Sequence, residues 1–127
     1  MSDQKKLYLN NIEISNNSPF VLIAGPCAIE SKEHAIDMAS SIKSICEELN
    51  IQFIYKSSFD KANRTSINSK RGVGLDEGLK IFEYLKNSLK INIITDVHEK
   101  EQCKAKKYTS ATKTVMEKMA IKYCEEN

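Results

Sequence analysis

The sequence has no tryptophan and no excess of one charge sign: 19 Lys+Arg face 17 Asp+Glu, a formal net charge of +2. A balance that close argues against a dedicated nucleic-acid or membrane-surface protein, so any basic function must come from local clustering. No apolar run approaches the roughly 20 residues of a membrane span. The opening MSDQKKLYLNN lacks the apolar stretch of a secretory signal. The four cysteines, Cys27, Cys46, Cys103 and Cys124, form no CxxC pair, so neither a disulfide framework nor a structural zinc site is indicated. Reduced thiols and a cytoplasmic location are the expectation.

What is present suits one soluble globular unit. The chain has 127 residues, 41% hydrophobic and 28% charged, enough to bury a real core. KLYLNNIEIS (6–15) reads as a small peripheral β-hairpin turning at Asn10-Asn11, because Asn tolerates positive φ. FVLIA (20–24) is a short continuous apolar run, the mark of a strand covered on both faces as in parallel sheets, and Gly25-Pro26 stops it. Ser31 can cap a following helix, with Glu33 near its positive end. The inward stripe of that helix would be Ala35, Met38, Ala39, Ile42, Ile45, Cys46 and Leu49.

IQFIYK (51–56) predicts the next strand, Leu75 to Leu89 a helix, and INIIT (91–95) a third strand. The order is hairpin, β, α, β, long loop, α, β, which implies a parallel sheet in an α/β fold. The stretch 57–74 is polar and basic, and a loop of that length is usually functional or disordered. Residues 112–126 could form an amphipathic helix.

The informative observation is positional. Cys27 follows the first strand, Lys56 ends the second, and Asp96 and His98 follow the third. In parallel α/β folds the carboxyl ends of the strands line one face, and that face holds the site. Five cations, Lys56, Lys61, Arg64, Lys70 and Arg71, lie between positions 56 and 71. Arg64 can grip a phosphate with two parallel bonds, and Thr65 and Ser66 add hydroxyls. The stretch suits phosphorylated small molecules, although a solvated loop explains its composition equally well. It is not a Walker loop. Cys27 could bind a borderline metal, but a lone cysteine is more often an ordinary thiol. His98 could be a ligand, a proton carrier or a polar strand terminus. Cys46 belongs to the helix core, and His34, in a first turn, should be solvated.

PFVLIAGPCAIES (19–31), IYKSSFDKANRTS (54–66), RGVGLDEGLKIF (71–82) and IITDVHE (93–99) resemble consecutive blocks of the 3-deoxy-D-manno-octulosonate 8-phosphate synthase family. The likeness runs from about residue 6 to 103, and KANRTS is its most specific segment. The sister 3-deoxy-D-arabino-heptulosonate 7-phosphate synthases share AGPC but carry a K-P-R-T type motif instead.

The resemblance implies a (β/α)8 barrel, of which residues 1–103 would supply about the first three β/α units behind the N-terminal hairpin. Residues 104–127 form a divergent tail, so the chain is expected to be too short for the whole enzyme. The implied reaction condenses phosphoenolpyruvate with D-arabinose 5-phosphate, a step toward lipopolysaccharide. Lys56 and Lys61 match the lysines that hold phosphoenolpyruvate. Asn63, Arg64 and Thr65 match the segment that binds arabinose 5-phosphate. Asp96 and His98 match active-site residues. Cys27 matches the position whose cysteine marks metal-dependent members, and so implies a divalent metal. The family implies a homotetramer, and neither nucleic acid nor membrane is an expected partner. The alternatives are condensation with erythrose 4-phosphate, or a non-catalytic phosphate-binding fragment.

Overall fold

The computed structural model describes residues 5–60, 72–99 and 102. It contains β1 (Leu7–Leu9), β2 (Ile12–Ile14), β3 (Val21–Ala24), α1 (Lys32–Glu48), β4 (Gln52–Lys56), α2 (Leu75–Leu89) and β5 (Asn92–Ile94). β1 and β2 pair antiparallel as the expected hairpin. β3, β4 and β5 form a parallel sheet in that order. Among the described residues these two sheets do not close a barrel, and no helix is long and apolar enough to cross a membrane. The tail at 104–127, with the helix expected at 112–126, lies outside the described residues.

Local chemistry explains where the elements start and stop. The Ser31 side chain accepts a hydrogen bond from the His34 amide at 3.1 Å, filling one orphan donor of α1. At the other end Asn50 takes a left-handed φ of 55°. The Asn50 amide donates to Glu47 O at 3.2 Å and the Ile51 amide to Cys46 O at 2.8 Å. This is a Schellman ending, with Asn where glycine is commoner. In the hairpin, Asn10 supplies the turn with φ 53°. Beside it Glu13 gathers Lys6 at 3.1 Å, the Tyr8 hydroxyl at 3.0 Å and the Ser18 hydroxyl at 2.8 Å. Those bonds, that from Ser18 foremost, hold its carboxyl below the usual range, and Glu13 in turn holds the Lys6 ammonium above its own.

Alternation along each strand sorts the parallel sheet into two faces. Leu22, Ala24, Phe53, Tyr55 and Ile93 join the core under α1 and α2. The opposite face carries Ile23, Ile54 and Asn92 in register, then Lys56 beside Ile94. Ile54 is fully buried there, whereas Ile23 is 50% exposed. At the amino end of this face the Asn10 amide group donates to the Asn92 side chain, so the hairpin tip is tied to β5.

Three expectations need correction. Ile45 and Leu49 are 56% and 63% exposed. The buried arc of α1 is centred on Ala35, Ala39, Ile42 and Cys46 and turned toward Ile36, which leaves Ile45 at its outer edge. Leu49 is the C-cap, where the chain leaves the helix. His34 is half-buried rather than solvated, and its Nδ1 is enclosed without a hydrogen-bond partner among the described residues. The start of the long loop is not polar surface, because Ser57, Ser58 and Phe59 are buried at 0–1% exposure.

Phe59 is the anchor that turns this loop start into core. It packs with Ile81, Phe82 and Leu85 of α2, and Gly78 lets the helix approach it. A Cβ built at Gly78 would sit 2.5 Å from Phe59 Cβ. Helix propensity alone favours Gly78→Ala by roughly 0.5–1 kcal/mol. The overlap should cost about 1–3 kcal/mol and win. Urea unfolding followed by circular dichroism should therefore show Gly78→Ala less stable than the wild type, and a higher midpoint would contradict this packing.

Candidate active site

The carboxyl ends of β3, β4 and β5 are knitted together beyond the strands themselves. Gly25 brings its backbone against β4, since a Cβ there would lie 2.0 Å from Lys56 O. Only glycine permits that approach. Ser57 Oγ then donates to Pro26 O at 2.8 Å, and the Ser58 amide to Cys27 O at 3.4 Å. The Ile29 amide donates to Ser58 O at 2.9 Å, and Ala28 bridges Ser58 in parallel. On the other side the Ser57 amide donates to Ile94 O at 3.4 Å. The backbone of Gly25-Pro26-Cys27 is thus clamped onto Lys56-Ser57-Ser58, which is joined in turn to the end of β5.

These contacts set where the predicted residues stand. Cys27 is exposed on its turn, with a free thiol. Lys56 is half-buried at the end of β4, on the sheet face away from the helices. Past β5, His98 Nε2 stands 3.6 Å from Asp96 Oδ2 and 3.0 Å from Asp60 O. Its ring meets Phe59 at 6.2 Å between centroids and a 58° tilt, an ordinary edge-on aromatic contact. The site therefore gathers residues from all three strand ends. Lys61, Asn63, Arg64 and Thr65 lie outside the described residues.

Sequence reasoning missed the residues that hold this arrangement. Ser57 and Ser58 look like solvated loop in sequence but are fully buried. Their burial is tolerated because Ser57 donates to Pro26 O and the Ser58 backbone bonds on both sides. The signal available was the apolar Phe59 directly after them. Tyr55 lies within the strand that IQFIYK predicts. Its buried hydroxyl sits on the helix side with no hydrogen bond among the described residues, and burial pushes its pKa upward. Ser57 opposes that shift and is the smaller of the two influences.

Among the described residues a metal centre is not complete. No group of three or more His, Cys, Asp or Glu able to hold an ion occurs among the described residues. Cys27 would supply one ligand, and a tight divalent site needs at least three from the protein.

A family model described as the DAHP synthetase I family matches residues 2–113. The 2-dehydro-3-deoxyphosphooctonate aldolase of Rickettsia felis is 55% identical over 100 residues, covering 79% of this chain and 36% of that protein. The aldolase of the same name from Rickettsia rickettsii (strain Sheila Smith) is 54% identical over 102 residues, 80% of this chain and 37% of the relative. That of Brucella anthropi is 48% identical over 97 residues, 76% of this chain and 35% of the relative. The chain thus spans little more than a third of the length of these curated relatives.

Tyr55 gives the core beneath the helices a pH signature. Its folded pKa is raised above the ordinary 10.0, so the unfolded chain loses the phenolic proton first. The tyrosine's stabilisation is therefore complete below about pH 10 and falls as pH rises through the folded value. Stability measured from pH 9 to 11 should fall less steeply in Tyr55→Phe than in the wild type. Equal slopes would show that the hydroxyl is not enclosed.

Proposed function

This chain belongs to the DAHP synthetase I family, and on that premise we propose that it serves the condensation of phosphoenolpyruvate with D-arabinose 5-phosphate. The products are 3-deoxy-D-manno-octulosonate 8-phosphate and inorganic phosphate. The observation that carries the reading is the convergence of Cys27, Lys56 and the Asp96–His98 pair on one end of a parallel sheet. The chain enters the cation-bearing segment Lys61–Arg71 from that same end. The names of the relatives favour an eight-carbon phosphorylated sugar acid over the seven-carbon product of the sister enzymes.

In this reading β3, β4 and β5 are the first strands of an eight-stranded barrel, with the hairpin at its amino end. Lys56 and Lys61 neutralise phosphoenolpyruvate. Asn63, Arg64 and Thr65 hold arabinose 5-phosphate, Arg64 on the phosphate. Two anions held side by side need such compensating charge, and fixed orientation removes much of the entropic barrier. C3 of phosphoenolpyruvate bonds to the sugar's aldehyde carbon, whose oxygen becomes a hydroxyl. Water adds at C2, and phosphate leaves with cleavage of its C–O bond. Asp96 and His98 border the bound sugar. A divalent metal at Cys27 would polarise the aldehyde or the water when bound. Its other ligands would come from outside the described residues, so no step is assigned to it. The cytoplasm is the corresponding setting, and a homotetramer is what the resemblance implies for the full-length family.

A second reading is phosphate binding without turnover, carried by the five cations between positions 56 and 71. Calorimetry with arabinose 5-phosphate, paired with an assay of phosphate release from phosphoenolpyruvate, separates the two. The first reading expects saturable binding and phosphate release that responds to divalent metal and chelator. Arg64→Ala should weaken the sugar phosphate at least about tenfold, the loss of one charge-assisted contact. Binding without release would support the second reading. A preference for erythrose 4-phosphate, or no binding of either sugar phosphate, would contradict the assignment.

A further inference from the structure

His98 faces two atoms that only accept hydrogen bonds. Its Nε2 is 3.0 Å from the Asp60 carbonyl oxygen and 3.6 Å from Asp96 Oδ2. A carbonyl oxygen and a carboxylate cannot donate, so the Nε2 atom must carry the hydrogen. The neutral ring is then the Nε2–H tautomer, with Nδ1 unprotonated. A nitrogen committed in this way cannot take a proton from substrate or ligate a metal.

The Asp60 carbonyl is a consequential place to hold. Phe59, one residue earlier, is locked in the core and meets the His98 ring edge-on. Its carbonyl accepts from the Gly74 amide at 2.9 Å, so the chain that leaves at Asp60 returns to the same point. His98 is fixed from behind as well. Its amide and that of Glu99 donate to Gln102 Oε1 at 2.8 and 3.2 Å, and the Gln102 amide donates back to Glu99 O at 3.1 Å. The imidazole therefore reaches across from the end of β5 and grips the backbone next to Lys61.

We propose that His98 is a positioning residue: its Nε2–H holds the Asp60 carbonyl and so fixes the corner from which the cation-bearing stretch departs. In that role it acts on arabinose 5-phosphate through Asp60, and Nε2 is not the atom that exchanges a proton with substrate. The consequence for the sugar phosphate rests on the function proposed above, whereas the tautomer does not.

Glutamine discriminates the roles, because its side-chain amide can place a donor where Nε2 stands but cannot shuttle a proton near neutrality. The full chain, labelled with ¹⁵N, is examined by imidazole ¹⁵N–¹H correlation at a pH where the ring is neutral. The His98 signals are identified by their loss in His98→Gln. Binding of arabinose 5-phosphate is then measured for the wild type, His98→Gln and His98→Ala, each checked for native circular dichroism. The expected result is the Nε2–H tautomer, with binding weakened about tenfold in His98→Ala and restored to within about threefold by His98→Gln. The Nδ1–H tautomer would overturn the proposal, and so would His98→Gln binding as weakly as His98→Ala. If the wild type binds no arabinose 5-phosphate, the proposed function falls, and the tautomer alone decides the role of His98.

Discussion

The site depends on how closely β3 and β4 approach beyond their last paired residues. Gly25 lies flat against the Lys56 carbonyl, and beyond it the two segments are joined by Ser57 Oγ to Pro26 O, Ser58 N to Cys27 O and Ile29 N to Ser58 O. Ordinary strand ends diverge into loops. Here the ladder is prolonged by a buried hydroxyl and two extra backbone bonds, so Cys27 and Lys56 leave from neighbouring, fixed stems. An unpaired buried hydroxyl would cost roughly 1–3 kcal/mol, so Ser57 is tolerated only with Pro26 in place. The two groups presume each other.

The opposite end of the sheet is built on different terms. There the hairpin is tied to β5 through Asn10 and Asn92, and its outer side is an exposed polar cluster around Glu13. A recess of about 210 Å³ is lined by Asn11, Ile12, Lys43, Cys46, Lys90 and neighbouring residues. It lies at the amino end of the strands, away from the end where parallel α/β proteins hold their substrates. The two ends therefore differ: the hairpin is tied to one, and Cys27, Lys56, Asp96 and His98 stand at the other.

Much of the fold was legible because its signals were periodic. The apolar runs at 20–24, 51–56 and 91–95 gave the three strands, and the three-and-four spacing from Leu75 gave α2 at its observed bounds. Asn10-Asn11 gave the hairpin. The misses share a cause, since each depends on a tertiary neighbour. Ile45 fits the stripe of α1 but faces water, because the sheet meets the helix at small residues, Ala35 and Ala39. Phe59 reads as one apolar residue in a polar loop, yet Gly78 on α2 makes room for it. At the site, the strand-end positions of Cys27, Lys56, Asp96 and His98 followed from topology. The bond from His98 to Asp60 did not, for the two are 38 residues apart and a carbonyl acceptor leaves no trace in composition.

The proposed function requires phosphorylated ligands to bind at the carboxyl ends of β3, β4 and β5. Amide chemical-shift mapping of the ¹⁵N-labelled chain during titration with arabinose 5-phosphate and with phosphoenolpyruvate tests it most directly. The account predicts saturable shifts at Cys27, Ser58, Asp60 and His98, with the hairpin and the recess around Asn11, Lys43 and Lys90 unchanged. Shifts confined to the hairpin end, or none at the strand ends at saturating ligand, would contradict it.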